Sequence, residues 1–308
     1  MLTTTWQPII VGVDATTAAV RAARFAAALA DRAGVPCHLV HAVPEVWSLA
    51  TAPNPFAGSP EALNRSAAAA SATAVREALR GQVPDALVDA LEVRIGRPTR
   101  VLSDVAHDRR AGLIVLGGKH HSTLGRWVAG STAHAVVRTA PVPVLVTVGD
   151  QLPHRRVLCA VDVSDAAGPT IQNAVRWADL LSAELTVLHA IEPLPIFAEA
   201  PFAITPEEHE THVEEALARL VWPAVPADAE RLVRHGEPDR IVAEEVTRRN
   251  VDLVVVGSHG RGWFDRVLIG SITERLLGAL PAPLLVVPVS APTAKRGRRR
   301  VAGMAARR

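Results

Sequence analysis

The segment PIIVGVDAT (8–16) returns as RVLCAVDVS (156–164), which sets Asp14 opposite Asp162. HLVHAVPE (38–45) returns as TVLHAIEP (186–193) at the same offset of 148 residues, setting His41 opposite His189. Further along the offset falls to 140: residues 96–118 match 236–258 without a gap, and GSTAHAVVRTAPVPVLVTV (130–148) matches GSITERLLGALPAPLLVVP (270–288). The first copy therefore carries eight extra residues in its middle connection, around WSLATAPNPFAGSP. A chain that repeats itself this way folds as two copies of one unit, so the fold must close within roughly 140 residues. Three regions follow: residues 1–149, residues 154–290 joined to them by a short polar link, and a basic tail over 291–308.

Each copy reads strand, helix, strand, helix, strand, helix, strand, helix, strand. The strand runs are short and continuously apolar, as parallel strands covered on both faces are. The second helix of the second copy opens on TPEE, with Thr205 as N-cap, Pro206 in the first turn and Glu208 able to close a capping box. Strands alternating with helices predict an α/β fold: two tandem doubly wound domains, each an open five-stranded parallel sheet flanked by helices. Ligands of such sheets collect outside the carboxyl ends of the strands, where the strand order reverses.

Composition removes several alternatives. A net charge of +2 over 308 residues gives no ground for specific nucleic-acid binding. The only lysines, Lys119 and Lys295, lie outside any G-x-x-x-x-G-K-[ST] frame, which excludes a P-loop. Cys37 and Cys159 sit in strand-like runs without ligand spacing and read as small buried hydrophobes. No leader and no membrane-spanning run is read, so the expected setting is soluble and cytoplasmic, without membrane insertion. The His120-His121 pair has no companion at metal spacing, and no metal site is expected.

One segment stands out against this scaffold. GSHGRGWFDRVLIGS (257–271) leaves an apolar strand through glycines and re-enters a helix at Gly-Ser. A loop between a strand's carboxyl end and a helix's amino end carries unpaired N–H groups and the positive end of the helix dipole. Gly257, Gly260 and Gly262 let the backbone approach a phosphate, and Gly270 opens the helix. Ser271 and Ile272 occupy its first turn, while His259 and Arg261 can add charge near the tail of a triphosphate. Ala160 and Asp162 close the first strand of this copy, placing a carboxylate in reach of an exocyclic amine or a ribose hydroxyl. Ala190 offers main-chain groups to a purine edge. Together these parts suit ATP, with or without magnesium, or another adenine nucleotide. The plain structural uses of the same residues are turn glycines, a helix N-cap for Asp162, and satisfied strand histidines for His41 and His189.

With the strand-end aspartate, LHA and the G-S-H-G…G-S loop in order, the sequence resembles the universal stress protein family, in its tandem two-domain actinobacterial form. The family motif G-x2-G-x9-G-(S/T) is met by Gly257, Gly260, Gly270 and Ser271. The resemblance spans the chain to about residue 290. It implies a Rossmann-like fold of the adenine nucleotide alpha hydrolase type, five parallel strands per domain, ATP in the strand-end crevice, and dimer-like pairing of domains. The terminal strands, 142–148 and 282–289, are then the edges that pair, with further self-association open to them.

The first copy departs from the motif. Gly12, Asp14, Ala42, Gly117, Gly130, Ser131 and Thr132 keep their places, but His120 stands at the second glycine position. GGKHHSTLGRW has either re-formed the cradle with Gly118 or Gly125 or lost it. The leading expectation is a nucleotide-binding regulatory protein of the stress response, with no catalytic residues assigned. The alternative is a nucleotide-independent interaction scaffold of the same fold. An adenylating enzyme is disfavoured by the lack of a Ser-Gly-Gly-x-Asp-Ser or His-Ile-Gly-His motif. The tail AKRGRRRVAGMAARR is expected to be solvated.

Overall fold

The structure is a computed structural model that describes residues 6–45, 60–121, 126–149, 155–193, 205–258, 269–279 and 282–288. The first repeat runs β1 (Ile9–Gly12), α1 (Thr17–Ala33), β2 (Cys37–Val43), α2 (Pro60–Leu79), α3 (Asp85–Asp89) and β3 (Glu92–Ile95), then α4 (Pro98–Asp108), β4 (Leu113–His121), β5 (Arg126–Ala129), α5 (Ser131–Thr139) and β6 (Val144–Thr147). The second runs β7 (Arg156–Ala160), α6 (Ala167–Leu181), β8 (Glu184–Ile191), α7 (Pro206–Ala216), β9 (Glu230–His235), α8 (Pro238–Arg249), β10 (Leu253–Gly257), α9 (Ser271–Gly278) and β11 (Leu284–Val287). A π-turn over Leu217–Val221 and a 3₁₀ turn over Trp222–Ala224 carry α7 toward β9.

Local chemistry explains the boundaries. Thr16 caps α1 by accepting from the Ala19 N–H, and Gly34 ends the helix with φ 65°, a left-handed conformation that costs glycine little. Thr205 and Glu208 complete the capping box read from TPEE. Pro98 and Pro238 open α4 and α8, where a missing N–H leaves no bond unmade. Strands such as LVVV in β10 and LLVV in β11 are buried on both faces. Helices cover both: α1 and α6 lie over one core and α4 and α8 over the other, and each core draws on both repeats. Cys37 and Cys159 belong to this interior; burial pushes the Cys37 thiol up to about 12 and that of Cys159 further still. Among the described residues no helix is long and apolar enough to cross a membrane.

All strand neighbours within each repeat's main sheet are parallel, in the order β3-β2-β1-β4-β6 and its mirror β11-β10-β7-β8-β9. The two sheets join through β6 and β11, antiparallel, with Leu284 opposite Val146, Leu285 opposite Leu145 and Val286 opposite Val144. The terminal strands thus pair with each other inside one chain and form an internal pseudo-dimer. Leu145 and Leu285 are fully buried at this seam, where each contributes roughly 2 kcal/mol by removing its side chain from water. On one face Trp6 meets Trp177 edge-on at 5.6 Å, and the Arg32 Nε donates to the Leu180 carbonyl at 2.7 Å. On the other, His134 Nδ1 lies 3.2 Å from Glu274 Oε1. These two residues hold equivalent positions in the repeats, at the offset of 140.

The first repeat departs from a plain five-stranded unit. It gains the short helix α3 and a sixth strand, β5, which runs antiparallel to β4 and off the main sheet. Residues with a Cβ enter extended backbone readily, so without the second glycine the chain beyond Gly118 continues as strand and turns back on itself.

Candidate functional site

In the second repeat the order reverses between β7 and β10. The chain leaves β7 for α6 on one face and leaves β10 for α9 on the other, so the strand ends part and a crevice opens. Its cavity is about 320 Å³, inside the range of roughly 300–1,000 Å³ usual for small-molecule sites. Ala160, Asp162, Ala190, Gly257, Gly270, Ser271 and Ile272 all line it. Every described member of the predicted second-copy set is therefore brought to one place. His259, Gly260, Arg261 and Gly262 lie outside the described residues.

The glycine loop is anchored at both ends. Ser258 N–H donates to the Val287 carbonyl at 2.8 Å, and Gly270 N–H donates to the Ser258 carbonyl at 2.8 Å. Thr273 Oγ1 donates to the Gly257 carbonyl at 2.9 Å, tying the first turn of α9 to the end of β10. Gly270 is the N-cap, at φ −62° and ψ 143°, and among the described residues no side chain caps this helix. The first-turn N–H groups therefore point out of the helix beside the cavity, with the positive end of the helix dipole behind them.

Asp162 is half-buried just beyond the end of β7, and its Oδ1 accepts from Ser164 Oγ at 2.6 Å. Ser164 Oγ in turn accepts from the Ala166 N–H at 3.2 Å, so the serine shapes the entry to α6 while the aspartate remains at the cavity wall. Along β8, bonding direction alternates from residue to residue. The Leu188 carbonyl faces the β7 side, where it accepts from Val161, and the Ile191 carbonyl faces β9, where it accepts from Gly236. Ala190 therefore turns its N–H and C=O to the β7 side, past the point at which β7 ends. Its two main-chain groups face the crevice, with only a methyl group as side chain.

His41 and His189 take the structural role read for them. His189 Nδ1–H donates to the Val161 carbonyl at 2.8 Å. His41 Nδ1–H donates to Val13 at 2.7 Å, which leaves Nε2 to accept from Ser71 Oγ at 2.6 Å. Each histidine fixes the strand-end turn that carries the aspartate.

The first repeat brings Gly12, Asp14, Ala42, Gly117, Gly130, Ser131 and Thr132 to the equivalent crevice, but its cavity is only about 120 Å³. Asp14 is exposed and accepts from both the N–H and the hydroxyl of Thr16. On either side of residues 122–125 the region of GGKHHSTLGRW pairs as antiparallel strands: Gly118 with Ala129, Lys119 with Val128, His120 with Trp127 and His121 with Arg126. Gly118 is thus a ladder residue, and Gly125 lies outside the described residues. Gly117 has a packing reason of its own, since a Cβ there would meet the Ala18 carbonyl oxygen at 2.3 Å. Over Gly130, the Lys119 Cε and Nζ lie 3.3 and 3.9 Å from where a Cβ would stand. The Lys119 side chain thus lies over the start of α5.

Some lining residues of the second crevice went unread in the sequence: Thr170, Glu192, His209 and Thr273. Thr273, two positions after Ser271, was within reach of motif reasoning. His209 was not, because only folding brings α7 over the end of β8.

The universal stress protein family model matches residues 5–147 and 153–288, one match per repeat. The chain is 30% identical over 293 residues to a universal stress protein of Mycolicibacterium smegmatis, covering 91% of this chain and 96% of that one. It is likewise 30% identical over 306 residues to a universal stress protein of Mycobacterium tuberculosis, covering 90% and 95%. A universal stress protein structure from Archaeoglobus fulgidus superposes with a TM-score of 0.60 at 16% identity, over 91% of this chain and 98% of that one, a likeness of fold.

Proposed function

Since the chain belongs to the universal stress protein family, we propose that its second repeat binds ATP and that occupancy, rather than turnover, is its output. The observation that carries this reading is convergence: the uncapped start of α9, the Asp162 carboxylate and the main-chain groups of Ala190 meet at one cavity of about 320 Å³. The N–H groups after Gly270 and the Ser271 hydroxyl suit the phosphates. Asp162 suits a ribose hydroxyl, and Ala190 suits the N1 and N6 edge of adenine. Magnesium bound to ATP would enter with the phosphates, and no residue of this chain is assigned to it. Partners would sense the filled crevice through α9, which meets the first repeat at His134.

Titration calorimetry with ATP on the full chain tests this reading, with Gly270→Asp as the decisive variant. Aspartate is a good N-cap and the backbone at 270 is extended, so the helix is kept while a carboxylate takes the phosphate position. ATP binding should fall by about a hundredfold or more. Unchanged affinity would show that the site is wrong. A second reading, a scaffold that needs no nucleotide, is favoured for the first repeat by its small, hairpin-closed crevice.

A further inference from the structure

We propose that Glu192 and His209 read the base in the second repeat, selecting a 6-aminopurine over a 6-oxopurine; this rests on the nucleotide reading above. The polar side chains of the crevice divide into two groups. Asp162, Thr170, His189 and Thr273 are held by bonds within the protein: Thr170 Oγ1 donates to the Ala166 carbonyl at 2.7 Å, and the others are bonded as described. Glu192 and His209 line the same cavity, and among the described residues neither side chain has a hydrogen bond or ion pair. Ser271 is also uncommitted, but it belongs to the phosphate end.

Position assigns the two to the base end. Glu192 lies two residues beyond Ala190, just past the end of β8, where it is exposed and lines the same cavity as Ala190. His209 is half-buried on α7 one turn before Val213, and the two line the cavity together, which marks the crevice-facing side of that helix. With the phosphates at Gly257 and Ser271, a base against Ala190 presents its N6 and N7 edge toward β8's end and α7.

The chemistry matches one class of base. Adenine shows an amine donor at N6 and an acceptor at N7, whereas guanine shows two acceptors, O6 and N7. A carboxylate can only accept, so Glu192 suits the amine and opposes O6. An imidazole N–H suits N7. The first repeat has neither group: the position of Glu192 is Pro44 and that of His209 is Leu63. No described residue of α2 lines its crevice.

Calorimetry on the full chain with ATP, GTP and 7-deaza-ATP, which lacks the N7 acceptor, tests the assignment. The unaltered protein should bind ATP about tenfold more tightly than 7-deaza-ATP, the worth of one hydrogen bond. His209→Leu, which installs the first repeat's residue, should bring the two ligands to within about twofold of each other, with the melting temperature kept. Glu192→Gln should narrow the gap between ATP and GTP, because an amide can also donate to O6. Equal binding of ATP and 7-deaza-ATP by the unaltered protein, or a gap that survives His209→Leu, overturns the proposal while leaving ATP binding intact. Absence of ATP binding overturns both readings.

Discussion

The two repeats share the scaffold of their main sheet and differ in the size of their crevices. Arg110 and Asn250, at equivalent positions, end α4 and α8 in the same left-handed conformation, with φ 50° and 49°. Asp14 and Asp162 each accept from a hydroxyl two residues on. Yet one crevice measures about 120 Å³ and the other about 320 Å³. The difference lies partly in the strand-to-helix connection, a laddered hairpin in the first and a loop anchored at Ser258 and Gly270 in the second, and partly in α7, which lines the second crevice while no described residue of α2 lines the first. Backbone bonding sets what a Rossmann-like crevice binds, because N–H groups spent on a β-ladder are unavailable to a phosphate.

The largest expected effect breaks this contrast directly. Gly270→Asp should abolish ATP binding, whereas Gly130→Asp should leave the stoichiometry at one nucleotide per chain, as calorimetry would register. In the first repeat the new carboxylate would stand beside Lys119 and pair with it. A chain that bound two nucleotides before substitution, one of them lost through Gly130→Asp, would refute the asymmetry. His120→Gly should not create a second site, because the hairpin closing that crevice involves four paired positions rather than one Cβ.

Next in size is a core difference. Glu245 is 3% exposed and bonded by Arg234, Arg248 and Arg249, while the equivalent residue of the first repeat, Val105, is fully buried and apolar. Burial pushes the Glu245 carboxyl up, but the three arginine hydrogen bonds outweigh it and bring the group down from 4.5 to about 2. A carboxyl depressed by folding adds stability above its unfolded value and loses it as pH falls through the folded one. Glu245→Gln should therefore cost roughly 3 kcal/mol at pH 7. That deficit should shrink as pH falls from 4.5 toward about 2, followed by urea melts. Val105→Ala should be destabilising with no such pH dependence.

The smallest effect concerns the contact between the repeats. His134 and Glu274 are partly exposed, so a double-mutant cycle should give a coupling below about 1 kcal/mol that weakens with salt. A larger coupling would mean that α5 and α9 communicate more strongly than their surface pairing implies.

Much of this was legible in the residues. The change of offset located eight extra residues between β2 and β3, although the helix starts at Pro60 and Pro206 leave only two of them before α2 and six beyond it. Apolar runs marked eight strands of the main sheet, whereas the edge strands β3 (EVRI) and β9 (ERLVRH) carry charges and are largely unburied. The glycine motif pointed to the crevice at the end of β10. The hairpin was hidden because Lys119–His121 and Arg126–Ala129 show no apolar alternation, the signal by which a half-buried strand is read. Helix α3, at five residues, is shorter than the window that periodicity needs. Glu192 and His209 meet only across a connection of unrelated sequence, and no local pattern encodes such a meeting. The arginine cage of Glu245 was equally invisible, since Arg234 reaches it from a neighbouring strand.

The antiparallel seam has an evolutionary corollary. Strands of the two halves run in opposite senses across it, so the two crevices open on opposite rims of one continuous sheet. In a homodimer built on such a seam, every substitution is installed on both rims at once, and a change that ruins one pocket ruins its twin. Fusing the halves into a single polypeptide releases that constraint, leaving one rim free to keep its ligand chemistry while the other drifts toward a different employment.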